Sequence, residues 1–246
     1  PFTLNSHQSF ARLMGRSTDD RVSAYRDPAW RAAALEDLRH GRPRFNWNAV
    51  SVAESASRPD LVDRPIVEVA EEWGCSPLDV MLDVSLADDL RTRFWSVVAN
   101  DDADGIAWLL PRDHVLLGLA DSGAHVSQLC DACFATDLLG NWVRDRNVMT
   151  VERAIHKLTA EPASVYGLED RGVLAQGNAA DVCVFDPDTV APGPLRRLFD
   201  FPAHGEHLTA DAPVGVRHVV LNGRPIRVDG AQVELGPDPA GVVLRG

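Results

Sequence analysis

Cysteine is scarce in this chain of 246 residues: there are four, Cys75, Cys130, Cys133 and Cys183. Thiols so few and so scattered cannot frame a disulfide-stapled fold, so reduced cysteines are expected. No run of 18 or more apolar residues occurs, and the opening PFTLNSHQSF has no basic stretch leading into an apolar core. Neither a spanning helix nor a secretory leader is therefore visible, and a cytoplasmic protein is expected. Positive charge is in deficit as well. With 24 Lys and Arg against 36 Asp and Glu the formal net charge is -12, and no Lys/Arg-rich run offsets it. Phosphate backbones and anionic lipid would be repelled, so neither nucleic acid nor a membrane surface is an expected partner. Internal repeats and low-complexity tracts are missing. So is an initial Met: the sequence starts at Pro1, as a processed form or an excised piece would.

Several chemical motifs are absent too. There is no Gly-rich phosphate loop, no GxSxG elbow and no HxH pair. What the chain does contain is an alternation of helical and strand-like segments up to about residue 167, then a change to strands and turns. Thr18 or Asp19 can cap an early helical stretch that continues after Pro28 and stops at Gly41. RFNWNAVSVA alternates through Phe45, Trp47 and Ala49 like a half-buried strand. Ile66, Val69, Ala70 and Trp73 fall three and four apart, as one helix face requires, and Ser76-Pro77 with Asp79 starts a further helix. TRFWSVVAN (92–100) predicts a strand, DDADGIAWLL a capped helix and HVLLGLA (114–120) a nearly all-apolar strand of the kind buried on both faces. Strand, helix, strand at this spacing predicts parallel crossovers and an α/β architecture. Thr150 can cap a helix carrying Val151, Ala154, Ile155 and Leu158, and Asn222-Gly223 between β-branched runs predicts a hairpin in a terminal β module.

The most informative stretch is HVLLGLADSGAHV (114–126). In parallel α/β folds reactive groups collect at the carboxyl ends of strands, and Asp121 occupies such an end. Its carboxylate could instead accept from the Gly123 and Ala124 amides in an Asx-type turn, and His125 could be a hydrogen-bonded structural residue. Small Ser122, Gly123 and Ala124 leave room for a ligand beside the backbone, so both readings stay open. CDAC (Cys130 to Cys133) has the spacing of half a zinc knuckle or of a dithiol pair. Without a second CxxC or paired histidines, two semi-buried thiols are expected. HGEH (His204 to His207) predicts a solvated loop, and NDDADG (Asn100 to Gly105) a helix N-terminus rather than a calcium loop.

DRGVLAQGNAADVCVFDPDTV and VRHVVLNGRPIRVDG together resemble the C-terminal signature of the amidohydrolase superfamily, through Gly172, Leu174, Gly177, Ala180 and Asp181. LADSGAHV, DLLGNWVRD and LTAEPASVYGL are similar to segments that follow the eighth barrel strand in the N-acyl-D-amino-acid deacylase branch. The resemblance spans about Pro65 to Gly230. It implies the C-terminal part of a metal-dependent (β/α)8 barrel, residues 1–167, followed by a small β-sandwich segment, residues 168–246. It implies a hydrolase of non-peptide C–N bonds acting on a small-molecule amide, in which water on Zn2+ or another divalent ion attacks the carbonyl. A divalent ion can lower the pKa of bound water from about 16 to roughly 7, and a nearby carboxylate can shuttle the proton. Carried onto this sequence, Asp121 is that acid/base group and a metal ligand, with His125 and Ser122 as substrate contacts. The family's HxH and its single histidines on middle strands have no counterpart here, so most metal ligands are expected outside this chain, with the missing N-terminal half of the enzyme as a partner. The usual glycine straight after the acid is replaced by Ser122, so ureas and cyclic amides remain open beside N-acyl-D-amino acids. The alternatives are a catalytically silent fragment or partner subunit, and a redox module built on Cys130 and Cys133.

Overall fold

Polar side chains at helix starts shape the first part of the chain. In the structure, a computed structural model that describes residues 4–42, 45–97, 99–118 and 120–244, a short helix α1 (Gln8–Ala11) precedes α2 (Thr18–Arg26) and α3 (Pro28–His40). The cap of α2 is Ser17, whose hydroxyl accepts from the Asp20 amide, one residue before the expected Thr18. Asp27 caps α3 ahead of Pro28, and Gly41 ends it. Next come β1 (Val50–Glu54), α4 (Ile66–Trp73), α5 (Pro77–Ala87) and β2 (Arg93–Ser96). Ser76 and Asp79 form a reciprocal capping box that satisfies the first-turn amides of α5. The predicted face of α4 is the buried one: Ile66, Val69 and Ala70 pack into a core with Val52, Leu61 and Leu78. Arg31 ties α3 to α5 through Asp79 and Asp83, at 2.9 and 2.5 Å.

The chain divides into two units, one ending at Asp102 and the other starting at Ala103. In the second, α6 (Ala103–Leu109) is followed by α7 (Phe134–Asp137), which runs into a wide-turn π-helix over Leu138–Asp145, then α8 (Val151–Leu158) and α9 (Ala160–Val165). Thr150 caps α8 by accepting from the Arg153 amide, as expected. Six strands follow: β3 (Val182–Phe185), β4 (Leu195–Phe201), β5 (Gly205–Ala210), β6 (Val216–Leu221), β7 (Arg224–Val228) and β8 (Ala231–Gln232). They form a sheet in the order β3-β6-β7-β8 and a separate β4–β5 hairpin. Asn222 and Gly223 both take positive φ, 48° and 77°, and make the two-residue turn between β6 and β7 that the sequence predicts. Leu138, Val143, Ala154, Val190 and Val216 form the core of this unit.

Four local expectations need correction. β1 and β2 pair antiparallel, and among the described residues none of the named strands pairs in parallel. β1 starts only at Val50, because the Asn46 side chain caps a 3-10 turn over Trp47–Ala49. Residues 115–118 and Ala120, in the expected buried strand, are not strand at all, and Leu116 is exposed. An apolar strand of that kind keeps its ladder only between two neighbouring strands, and among the described residues no strand pairs with it. His207 lies on β5 with a mostly buried side chain 2.8 Å from Asp200, so HGEH is not a solvated loop. Arg44, Val98 and Leu119, which fall in the expected strands, lie outside the described residues.

Candidate functional site

The Asp121 turn is built by backbone geometry rather than by the Asx arrangement: the Ala124 amide donates to the main-chain carbonyl of Asp121 at 3.0 Å. Gly123 and His125 both have positive φ, 95° and 46°. His125 closes the turn with its carbonyl accepting from the Gln128 and Leu129 amides at 2.7 and 3.1 Å. Asp121, Ser122 and His125 are all exposed. The turn therefore brings the three sequence-predicted residues onto one short exposed segment.

The approach to that turn is held from α8. Lys157, the only lysine in the sequence, is completely buried. Its Nζ donates to the carbonyls of Arg112 at 2.9 Å and Val115 at 2.6 Å and to Glu161 Oε2 at 3.1 Å. Three donors on a compact ammonium thus meet three acceptors. Arg153 adds a second cation to Glu161 at 3.4 Å and also holds Asp113. Sequence patterning marks Lys157 as a polar position on an amphipathic helix. The two carbonyls it holds lie more than 40 residues upstream, so no local signal reveals them.

The signature residues near 172–181 turn out to be structural. Asp181 accepts from Arg171 and, at 2.7 Å, from the Asn222 amide. The Asn222 side chain accepts from Arg171 at 3.0 Å and donates to the Ala240 carbonyl at 2.9 Å. This network clamps the β6–β7 turn onto the loop before β3. Gly172 has φ of +82°, and a Cβ there would lie 2.8 Å from the Ala163 Cβ and 2.9 Å from the Thr159 carbonyl. Only glycine fits that close approach of loop to helix. The glycine and the acid of the signature are thus accounted for by packing and hydrogen bonding within this chain.

Two clefts lie in the second unit. One, of about 800 Å³, is walled by Leu139, Ile155, Leu158, Tyr166, Leu174 and Phe185 among others, and the other, of about 430 Å³, by His114, His156 and Glu161 among others. Asp121, Ser122 and His125 line neither. Among the described residues no group of three or more His, Cys, Asp or Glu side chains is placed to hold a metal ion. The described residues therefore do not by themselves fit a metal centre. Cys130 and Cys133 are half-buried, as expected. Burial, reinforced by Cys130 alongside, pushes the Cys133 thiol up from its ordinary value. Among the described residues no helix is long and apolar enough to cross a membrane.

Residues 17–227 match the model of the amidohydrolase family. The N-acyl-D-glutamate deacylase of Alcaligenes xylosoxydans xylosoxydans is 32% identical over 202 residues, 78% of this chain and 34% of that protein. The D-aminoacylase of the same organism is 31% identical over 170 residues, 68% of this chain and 31% of that protein. Among solved structures, the N-acyl-D-glutamate deacylase from Bordetella bronchiseptica, complexed with zinc and a phosphonate inhibitor, is 28% identical with a TM-score of 0.42. That match covers 76% of this chain and 37% of the other. The chain spans about a third of the length of the curated relatives it matches. A match that runs through both units and through the Asp121 turn leaves one conclusion: this chain belongs to the amidohydrolase family.

Proposed function

We infer that this chain is the C-terminal part of an amidohydrolase that cleaves the amide of an N-acyl-D-amino acid. The relatives named N-acyl-D-glutamate deacylase and D-aminoacylase support the substrate class. Residues 1–167 supply the last part of a (β/α)8 barrel and residues 168–246 a closing β-sandwich segment, a division consistent with strands β3–β8 all falling after residue 168. Asp121 is the acid/base group. Its carboxylate takes a proton from the attacking water and delivers it to the departing nitrogen, while Ser122 and His125 contact the substrate. A Zn2+ or other divalent ion of the kind the family implies would have Asp121 as one ligand and would need the others from outside this chain, from an N-terminal half that completes the site. The observation that carries this reading is Asp121 on an exposed turn within the part of the chain that matches the amidohydrolase family.

The test is Asp121→Asn in the complete enzyme, assayed on N-acyl-D-glutamate and its L isomer. The exchange keeps the shape of the side chain and removes its basicity, so kcat is expected to fall about hundredfold or more while circular dichroism is unchanged. Retained activity would sink the assignment. The missing cluster of metal-binding side chains among the described residues favours a second reading, a catalytically silent partner subunit. Metal analysis separates the two, because the silent reading stands if the complete protein binds no metal and hydrolyses nothing.

A further inference from the structure

Next to the Asp121 turn lies the β4–β5 hairpin, in which Arg197 stands opposite Leu208. Both residues reach out of the hairpin to the segment that follows His125. The Leu208 amide donates to the Val126 carbonyl at 2.7 Å, and Arg197 Nη1 donates to the Ser127 carbonyl at 2.8 Å. Together with the Gln128 and Leu129 amides on His125, this satisfies three successive carbonyls, 125 to 127, with four donors, two of them from the hairpin. The Arg197 side chain is only 13% exposed, and Glu206 Oε1 lies 3.7 Å from its guanidinium. A charged donor makes a stronger bond to a carbonyl than a neutral one.

His125 sits at a φ of +46°, a conformation that a non-glycine residue keeps only where its surroundings over-determine it. The surroundings here are two ties. Lys157 holds the Val115 carbonyl on the upstream side, Arg197 holds the Ser127 carbonyl on the downstream side, and Asp121 falls midway between them in sequence. Proton transfer requires a carboxylate held within hydrogen-bond reach of both the attacking and the departing group, and a displacement of about 1 Å can cost about a hundredfold in rate.

We propose that the β4–β5 hairpin is a bracket that fixes the Asp121–His125 turn, with Arg197 as its positioning residue. This rests on the reading of Asp121 as the acid/base group. It gives a segment remote in sequence a role in the chemistry without contact with substrate.

Arg197→Met tests it, because the thioether keeps much of the packing and loses every donor. In the complete enzyme, kcat on N-acyl-D-glutamate is expected to fall about ten- to hundredfold with KM changed less than about threefold, and Arg197→Lys, which keeps a cationic donor, to recover most of the loss. In this chain, hydrogen exchange at the Ala124, Gln128 and Leu129 amides is expected to quicken by about tenfold or more, while the α8 amides keep their protection. Should Arg197→Met fail to fold, Glu206→Gln loosens the guanidinium alone, and the same amides are expected to quicken to a smaller degree. Unchanged exchange across 124–129, or equal quickening in α8, overturns the bracket. A wild-type kcat in Arg197→Met overturns it as well. Activity retained in Asp121→Asn sinks the acid/base reading only, and the exchange arm still decides whether the hairpin holds the turn.

Discussion

Lys157→Met is expected to cost about 3–5 kcal/mol of stability, measured as a lowered midpoint in urea unfolding of this chain. The methionine fills much of the volume but strands three acceptors: the Arg112 and Val115 carbonyls and the Glu161 carboxylate. Breaking a buried ion pair by removing one partner is far more damaging than never having built it, because the surviving group stays desolvated. Glu161 is itself only 12% exposed, and Arg153 at 3.4 Å compensates it in part. Removing both members, in Lys157→Met with Glu161→Leu, is therefore expected to cost less than the two single losses summed. Lys157→Arg is expected to destabilise too. A planar guanidinium directs its donors into a fork, whereas the site, shut off from solvent, offers three acceptors around a point charge.

A comparable loss, about 3 kcal/mol, is expected for Asp88→Ala in the first unit. Asp88 is 5% exposed and accepts from the Ser55 and Thr92 hydroxyls at 2.6 Å each and from the Ala56 and Ser57 amides at 3.2 and 2.6 Å. Without the carboxylate, the 55–57 loop loses the group that turns it back onto α5. Burial alone would raise the carboxyl's pKa, but the hydrogen bonds from Ser55, Thr92 and Ser57 outweigh it and hold the group well below the usual carboxylate range. The sign of the pH dependence follows. A folded-state pKa below the unfolded one contributes stability that is fully present above the unfolded value, about 3.9, and that disappears as pH falls towards the folded value. Wild type is therefore expected to lose stability more steeply than Asp88→Ala below about pH 4. Parallel acid titrations of the two unfolding midpoints measure the difference, and identical slopes would show that the carboxylate contributes nothing.

The parts of the fold that were legible in the sequence are those set by neighbours in the chain. The Ser76–Asp79 capping box, the Thr150 cap, the stop at Gly41, the apolar face of α4 and the Asn222-Gly223 turn all depend on contacts within a few residues. Where a longer-range partner decides, sequence reasoning failed. Residues 114–120 have the composition of a buried strand, but composition cannot supply the flanking strands whose amides and carbonyls would complete its ladder. A local competition was hard to read as well: the short polar cap at Asn46 makes a 3-10 turn at Trp47 out of an apolar alternation that is real. At the candidate site, the sequence named the residues on the turn and none of the residues that hold it. Lys157 and Arg197 hold carbonyls 42 and 70 residues away, Glu206 meets Arg197 across the hairpin, and none of the three belongs to a motif, so only coordinates bring them to the turn.

The buried lysine also has a use at the bench. Every other cationic side chain in this sequence, histidine apart, is an arginine, so reagents that acylate ε-amines find no target on the folded surface. Covalent tagging at position 157 then marks molecules that have opened, and mass spectrometry of the tagged peptide counts unfolding events against almost no background.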